Sequence, residues 1–321
     1  MLARLQQLTT IGLISAAIAW ALFGLATNRP YLGIGGALLI LFGYAVVLGI
    51  EFGLMQAANR TDPQGAASLS ELASAWVGEV VSAAKVFCWR QPFRSTAIPD
   101  CLDGAPGQRG LVLAHGFVCN RGLWNGWYPK LAARGIPYIA VNLEPVFGQI
   151  DDYADHLEAA VVAMQQRTGL APVIVAHSMG GLATRAWLRT RKAMAATSVH
   201  HVITLGSPHA GTALARFGFS SNSRQMLPTG PWLGGLAKYE SSVAMPRFTC
   251  LFSNCDNIVF PASAAVLPNA EAVHIAACAH VQMVDHPRAF EEVMRWLVRD
   301  ASARDERTPE AGPVAGSAGL K

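Results

Sequence analysis

Val173-Ile174-Val175-Ala176-His177-Ser178-Met179-Gly180-Gly181 constrains the fold of this chain more than any other stretch. β-Branched residues in an unbroken apolar run read as a strand buried on both faces. Helical spacing follows at once, with Leu182, Ala183, Ala186 and Trp187 recurring on one face. A strand that turns directly into a helix around a serine strains that serine's backbone. Its neighbours two positions either side must then be small, and its hydroxyl projects from the carboxyl end of the sheet. Gly180 meets the requirement on one side; on the other stands Ala176, one methyl group larger than the usual glycine. Residues after Ser178 start a helix, so their free N–H groups and the positive end of the helix dipole face the serine. A serine so placed is a candidate nucleophile. The plain alternative is a serine at an ordinary strand–helix turn, and the rest of the chain has to decide between them.

Other segments repeat the alternation. Leu111–Ala114 reads as a buried strand that opens into His115-Gly116-Phe117, and a helix from about Tyr128 to Arg134 follows. Pro137 to Leu143 is the next strand candidate and Asp152 to Thr168 the next helix. After the serine come strands at 201–205, at 247–253 leading to Asp256, and at 272–276 leading to His280. An amphipathic helix at 290–299 closes the domain, with Val293, Trp296 and Leu297 inward. Strands alternating with helices across short loops predict an α/β fold, a mostly parallel sheet with helices on both faces. Residues 213–246 show no clear strand and carry Pro228, Gly230, Pro231, Gly234 and Gly235 among apolar residues; they read as a lid-like insertion over the site. Residues 301–321, rich in Ala, Gly and Pro, are expected to be disordered.

The N-terminal part is of another kind. Hydrophobic residues make up 52% of the chain and charged residues 14%, against roughly 25% charged in ordinary soluble domains. The imbalance is concentrated at 9–27 and 31–50, two nearly uncharged runs split by Asn28-Arg29-Pro30 and closed by Glu51. Each approaches the roughly 20 residues that a helix needs to cross hydrocarbon. Glycines at 33, 35, 36, 43 and 49 suit close approach of two membrane helices. Residues 1–55 therefore read as a transmembrane helical hairpin. Two alternatives stand beside it: a cleaved secretory signal, since Arg4 precedes the first run and Gly24-Leu25-Ala26 is small, and a pair of buried core helices. A hairpin leaves the remainder on the same side as Met1, and the weak charge asymmetry of Arg4 against Arg29 leans toward the cytoplasmic face of a bacterial inner membrane.

Residues 56–91 are expected to be a linker and an amphipathic helix. Ser68-Leu69-Ser70-Glu71 fits a capping box, and the helix should run to about Phe87, with 88–103 irregular. Its few charges do not make a basic lipid-binding face, so it is expected to pack on the remainder rather than lie on the membrane surface. The net charge of +4 comes without any Lys/Arg block, which excludes nucleic acid as a natural partner. No C-x-x-C pair or zinc-type Cys/His spacing occurs among the six cysteines.

A serine hydroxyl becomes a useful nucleophile only with a base to take its proton and a carboxylate to fix that base's tautomer. Asp256 and then His280 follow Ser178, each in a loop after a strand. From about Pro92 to Arg299 the chain resembles an α/β-hydrolase of the bacterial lipase/esterase type. The matching stretches are His115-Gly116-Phe117, A-H-S-M-G-G at 176–181, G-S-P-H-A-G-T at 206–212, D-N-I-V at 256–259, and His280 before the last helix. The resemblance covers 92–300 as a hydrolase domain. It implies Ser178 as nucleophile, His280 as general base and then acid, Asp256 as its orienting carboxylate, and the N–H groups of Phe117 and Met179 as oxyanion hole. It implies no cofactor. Related secreted lipases carry a calcium-ligating aspartate two residues past the histidine, where this chain has Gln282, so no metal site is expected.

His115, His177 and His209 are expected to brace loops, and His286 to lie at a helix start. Asp285 is the rival carboxylate and Glu144 an outside candidate. Leu123, Trp124 and Trp127 either line a greasy substrate cleft or belong to the core. With the hairpin as tether, the expected reaction is hydrolysis of a lipid or medium-chain acyl ester through an acyl-enzyme. Thioester, amide or acyl-transfer chemistry on the same three residues is the alternative. More remote are a silent membrane-anchored binding protein and a component of a larger transport assembly.

Overall fold

A computed structural model describes residues 1–104 and 107–305. Among them, β1 (Leu111–Ala114), β2 (Tyr138–Ala140), β3 (Val173–His177), β4 (His201–Leu205), β5 (Phe248–Phe252) and β6 (Glu271–His274) form one sheet. Every pairing is parallel and the strand order is β2-β1-β3-β4-β5-β6. Parallel neighbours need crossover connections, which put helices on the faces. Alternate strand residues accordingly divide between two cores. Val112, Ile174, Ala176, Val202 and Cys250 face a cluster with Leu157, Met164, Leu182 and Trp187. Leu113, Val175, Ile203, Leu251 and Val273 face the opposite cluster, with Tyr128, Phe290 and Val293. The period of two along each strand produces this division.

The sheet grows from β1 to β2 in one direction and from β3 onward in the other. Such a switch point leaves a crevice outside the carboxyl ends of the two central strands. Gly116 and Phe117 follow β1 and Ser178 follows β3, so the candidate residues sit at that crevice.

Twelve α-helical segments lie among the described residues. Helices α1 (Leu2–Ala26) and α2 (Pro30–Asn59) form the hairpin, followed by α3 (Leu69–Lys85) and α4 (Gln91–Arg94). Next come α5 (Tyr128–Ala132), α6 (Ala154–Thr168), α7 (Met179–Arg191), α8 (Ala195–Ser198), α9 (Ser221–Gln225) and α10 (Pro231–Glu240). α11 (Gln282–Asp285) and α12 (Pro287–Asp305) end the described chain. The apolar helices α1 and α2, and the stretch Leu69–Arg94, are each long and apolar enough to cross a membrane. In the hairpin a Cβ on Gly24 would overlap the backbone of Gly33, which accounts for small residues on that seam.

The first residues of α1 are docked rather than free. Gln6 Nε2 donates to Gln91 Oε1 at 2.8 Å and Gln7 Nε2 to the Pro92 carbonyl at 2.6 Å. At the other end of the hairpin, Asn59 Nδ2 donates to the Asn254 carbonyl at 2.9 Å, while its Oδ1 accepts from Ala262 N–H at 3.0 Å. Helix α2 thus runs to Asn59, past the 55 expected, because those bonds and the buried Phe52 and Met55 extend its useful face. The Ser68 capping box is present, with Glu71 reaching back to the Ser68 N–H at 2.8 Å. Where irregular chain was expected after Phe87, a wide turn at Val86–Arg90 carries the helix on to Arg94. A wide turn lets the helix accept Pro92, which brings no N–H, near the start of α4. The tail from 306 lies outside the described residues.

Candidate active site

β3 delivers Ser178 into a strained turn. Its backbone lies at φ 55°, ψ −129°, a region that non-glycine residues occupy only when the surroundings force it. Here the Ser178 N–H donates to the Leu205 carbonyl at 2.9 Å, and α7 starts immediately, with Gly181 N–H on the Ser178 carbonyl at 3.0 Å. The small neighbours are required by contact. A Cβ on Gly180 would stand 2.6 Å from the His115 carbonyl oxygen, and one on Gly116 would stand 2.7 Å from Ser178 Cβ. The loop after β1 is therefore packed directly on the serine.

The loop after β5 brings Asp256, 1% exposed, to the loop after β6. Asp256 Oδ2 accepts from His280 Nδ1 at 2.9 Å; Oδ1 accepts from Ile258 and Val259 N–H at 2.9 and 2.8 Å. With the carboxylate so oriented, the proton sits on Nδ1 and leaves Nε2 as the basic nitrogen. Burial pulls the His280 pKa down, but the charge and hydrogen bond of Asp256, with the charges of Glu79 and Glu51, outweigh it and hold the pKa above the ordinary imidazole value. The His280 ring packs 4.6 Å, centroid to centroid, from His177, the residue before Ser178. Among the described residues no hydrogen bond joins Ser178 Oγ to His280 Nε2; that contact is commonly long in substrate-free sites and closes on binding.

Two main-chain donors complete the group. The N–H groups of Met179, at the first position of α7, and of Phe117 have no acceptor among the described residues. The Phe117 loop is held from both sides. His115 Nε2 accepts from Leu143 N–H at 3.0 Å, and its Nδ1 donates to the Gly116 carbonyl at 2.9 Å. Burial pushes the His115 pKa down to about 4, so this ring is neutral and its bonds are fixed. Val118 follows at φ 53°, a strained value for a β-branched residue.

The remaining candidates separate cleanly. His177 Nε2 donates to the His280 carbonyl at 3.1 Å, and burial, then His280, drives its pKa well below the ordinary value. His209 contacts Thr204 Oγ1 at 3.1 Å. His286, before Pro287, meets the Arg288 N–H at 3.2 Å. Asp285 forms ion pairs with Arg90 and Lys85, each at 2.9 Å, so it joins α11 to the α3 extension and stands apart from the histidine. Glu144 is exposed. Gln282 spends its side-chain oxygen on Ala279 N–H at 3.1 Å.

Leu123, Trp124 and Trp127 correct the cleft reading. Their exposures are 0%, 0% and 1%, and they are packed in the core that contains Tyr128 and Met283. Trp127 Nε1 donates to the Val284 carbonyl at 2.7 Å. Aromatic residues in a polar-looking stretch suggested a cleft, but the short turn at Arg121–Gly126 folds them inward. The sequence alone gives no role at the site to Glu79, which bonds the histidine loop from α3, to Asn257, which bonds it from the loop after β5, or to Glu51, which holds Asn257 from α2. Asn257 lies inside a quoted motif; Glu51 reads as the end of an apolar run, and Glu79 as one more acid in an amphipathic helix that also carries Glu71.

The profile of the family described as PGAP1-like alpha/beta domain matches residues 149–225, a stretch that contains Ser178. Among solved structures, the chain is similar to Bacillus licheniformis lipase BlEst2 in mature form, at 18% identity and TM-score 0.53, over 60% of this chain and 94% of that one. It is likewise similar to Aspergillus fumigatus lipase B, at 17% identity and TM-score 0.53, over 58% of this chain and 51% of that one. No curated protein matches the chain by sequence. The shared property is the fold, a parallel sheet with helices on both faces.

Proposed function

We propose that this chain, an α/β-hydrolase by fold, is a membrane-anchored serine hydrolase that cleaves carboxylic esters of lipid or medium-chain acyl substrates. The observation that carries the reading is the hydrogen-bonded Asp256–His280 pair beside a serine held at φ 55°. Ser178 Oγ attacks the acyl carbonyl while His280 Nε2 takes its proton. Asp256 holds the Nδ1 proton and stabilises the imidazolium that forms. Charge developing on the carbonyl oxygen meets the N–H groups of Phe117 and Met179; losing one such donor typically costs about 3–4 kcal/mol of transition-state stabilisation. His280 then protonates the departing alcohol, leaving an acyl-Ser178, and a water activated by the same nitrogen releases the acid. Every step uses groups of this chain, and no metal or cofactor enters the scheme.

The lipid preference is supported by the hairpin α1–α2, which we assign to the bilayer, and by Phe217 and Phe219, exposed on the turn that opens the 213–246 insertion. The far half of that insertion is fastened down, since Arg185 on α7 pairs with Glu240 at 2.7 and 2.9 Å. If part of the insertion moves as a lid, it is the turn near Phe217.

Purified protein in detergent is expected to release p-nitrophenol from acyl esters and to be labelled by a fluorophosphonate. Ser178→Ala should abolish both while leaving the melting temperature near that of the wild type. Hydrolysis that survives this substitution would remove the assignment, and a panel of ester, thioester and amide donors ranks the acyl chemistry.

A further inference from the structure

Helix α3 lies outside the sheet, yet one of its side chains ends beneath the acid–base pair. Glu79 is 1% exposed, and a carboxylate is rarely buried that far unless its oxygens are bonded. Both oxygens accept from Val281 N–H at 3.0 Å, and Oε2 also accepts from Gln282 N–H at 3.0 Å. These are the two residues that follow His280. A second strap comes from α2: Glu51 Oε2 accepts from Asn257 Nδ2 at 2.7 Å, and Asn257 Oδ1 accepts from His280 N–H at 3.3 Å.

The loop needs such help. β6 ends at His274, so His280 stands beyond the regular sheet, and Ala277 between them sits at φ 51°. A ring held only through Nδ1 can still swing Nε2, whereas catalysis asks for placement to within an ångström or so.

We propose that Glu79 is a positioning residue for the reaction: by fastening the backbone of Val281 and Gln282 to α3, it fixes where His280 Nε2 meets Ser178. The proposal rests on the serine-hydrolase reading given above. It makes α3 part of the catalytic apparatus. It also has an electrostatic side. The titratable groups that face His280 are Asp256 after β5, Glu79 on α3, Glu51 on α2 and His177 at the end of β3. The three carboxylates favour the protonated ring, and loss of any of them moves its titration to lower pH. Burial pushes the Glu79 carboxyl itself up to about 7, against the pull of His280 and the two N–H groups.

The test uses the full chain in detergent. Fluorophosphonate titration counts working sites, so turnover of p-nitrophenyl butyrate is read per labelled serine. Glu79→Gln keeps the shape but turns an amide NH2 group toward backbone donors. Turnover per site is expected to fall about tenfold or more with KM little changed. The acid limb of kcat/KM should move to lower pH, and the Val281 and Gln282 amides should lose protection from hydrogen exchange. Glu79→Asp keeps the charge and is one methylene short; it should lower turnover per site and leave the acid limb in place.

A glutamate that merely stabilised the fold would change the number of working sites and not their turnover. Wild-type turnover per site with an unmoved acid limb in Glu79→Gln therefore overturns the proposal. If that variant yields no folded protein, Glu79→Asp decides, and wild-type turnover per site there overturns it equally. Failure of the underlying reading looks different: the wild type goes unlabelled, or Ser178→Ala keeps its activity. Exchange protection at Val281 and Gln282 then still tells whether the strap exists.

Discussion

Asp256→Asn probes the acid–base pair one atom at a time. Oδ1 faces the N–H groups of Ile258 and Val259, so an asparagine must keep its oxygen there and present its NH2 group to His280 Nδ1. That forces the ring proton onto Nε2, the nitrogen that should accept from Ser178. The expected result is a fall in kcat of roughly 10³–10⁴-fold with the fold intact. The pH dependence follows with a definite sign. His280 must be neutral to act as base, and its pKa is held above the ordinary value, so the acid limb of kcat/KM should have its midpoint above that of free imidazole. The same raised value means that His280 favours folding at low pH, and that this contribution is lost as pH rises through the folded pKa. A pH–rate profile of the wild type, and calorimetry of Asp256→Asn beside it, check both. At this scale the meeting of Asp256 with His280 and the strained turn at Ser178 were legible, because each residue sits in a short motif with its own local chemistry. Glu79 was not, because its bond to Val281 spans 202 positions and its helix reads as an ordinary amphipathic one. Leu123, Trp124 and Trp127 misled because residue type alone does not tell a cleft wall from a core.

Turns, rather than strands, are where an element-scale change reaches the chemistry. Gly206 ends β4 at φ +53°, and a Cβ there would stand 2.6 Å from Asp256 Oδ2 and 3.2 Å from His280 Nδ1. Gly206→Ala should therefore lower activity at least a hundredfold by pushing the pair apart, a displacement on the ångström scale. It should also lose about 1–2 kcal/mol of stability for the left-handed backbone. Gly169 supplies the control. It caps α6 at φ +70° with no atom within 4 Å of a built Cβ, so Gly169→Ala should lose similar stability and keep its turnover. Melting curves and ester hydrolysis on both variants separate strain from steric damage. The β1, β3, β4 and β5 segments were readable from their apolar runs, since a strand buried on both faces leaves little else to write. β2 shrank to Tyr138–Ala140 at the edge of the sheet, where one neighbour rather than two fixes its length. The helical continuation through Val86–Arg94 was hidden by Pro92, which normally signals an end and here follows a wide turn.

For the molecule as a whole, the ends of the two apolar runs are bonded to loops of the candidate site. From Gln7 to Ala26 and from Pro30 to Glu51 the helices rise about 29 and 32 Å, close to the roughly 30 Å of a hydrocarbon core. The polar residues that end those runs are the ones bonded to the site. Gln6 Nε2 reaches the Val118 carbonyl at 3.5 Å beside the proposed oxyanion loop, and Glu51 holds Asn257. A bilayer seated on the hairpin must then also cover the outer face of α3. Tyr44 and Ala45, well inside the second run, bond to it: Tyr44 Oη donates to the Val80 carbonyl at 2.9 Å and Trp76 Nε1 to the Ala45 carbonyl at 2.9 Å. Val77 and Val81 are exposed there, as a lipid-facing surface requires. The other face of α3 is tied to the histidine loop through Glu79. The prediction is that a spin label on Val81→Cys, in a background with Cys88 and Cys101 replaced by serine, collides more with lipid-dissolved oxygen than with an aqueous nickel chelate when the chain is reconstituted in vesicles. A label that meets the chelate first would raise the hydrolase clear of the bilayer on its hairpin. Active-site loops lying at the lipid boundary would take an acyl ester sideways from the membrane, without its crossing water.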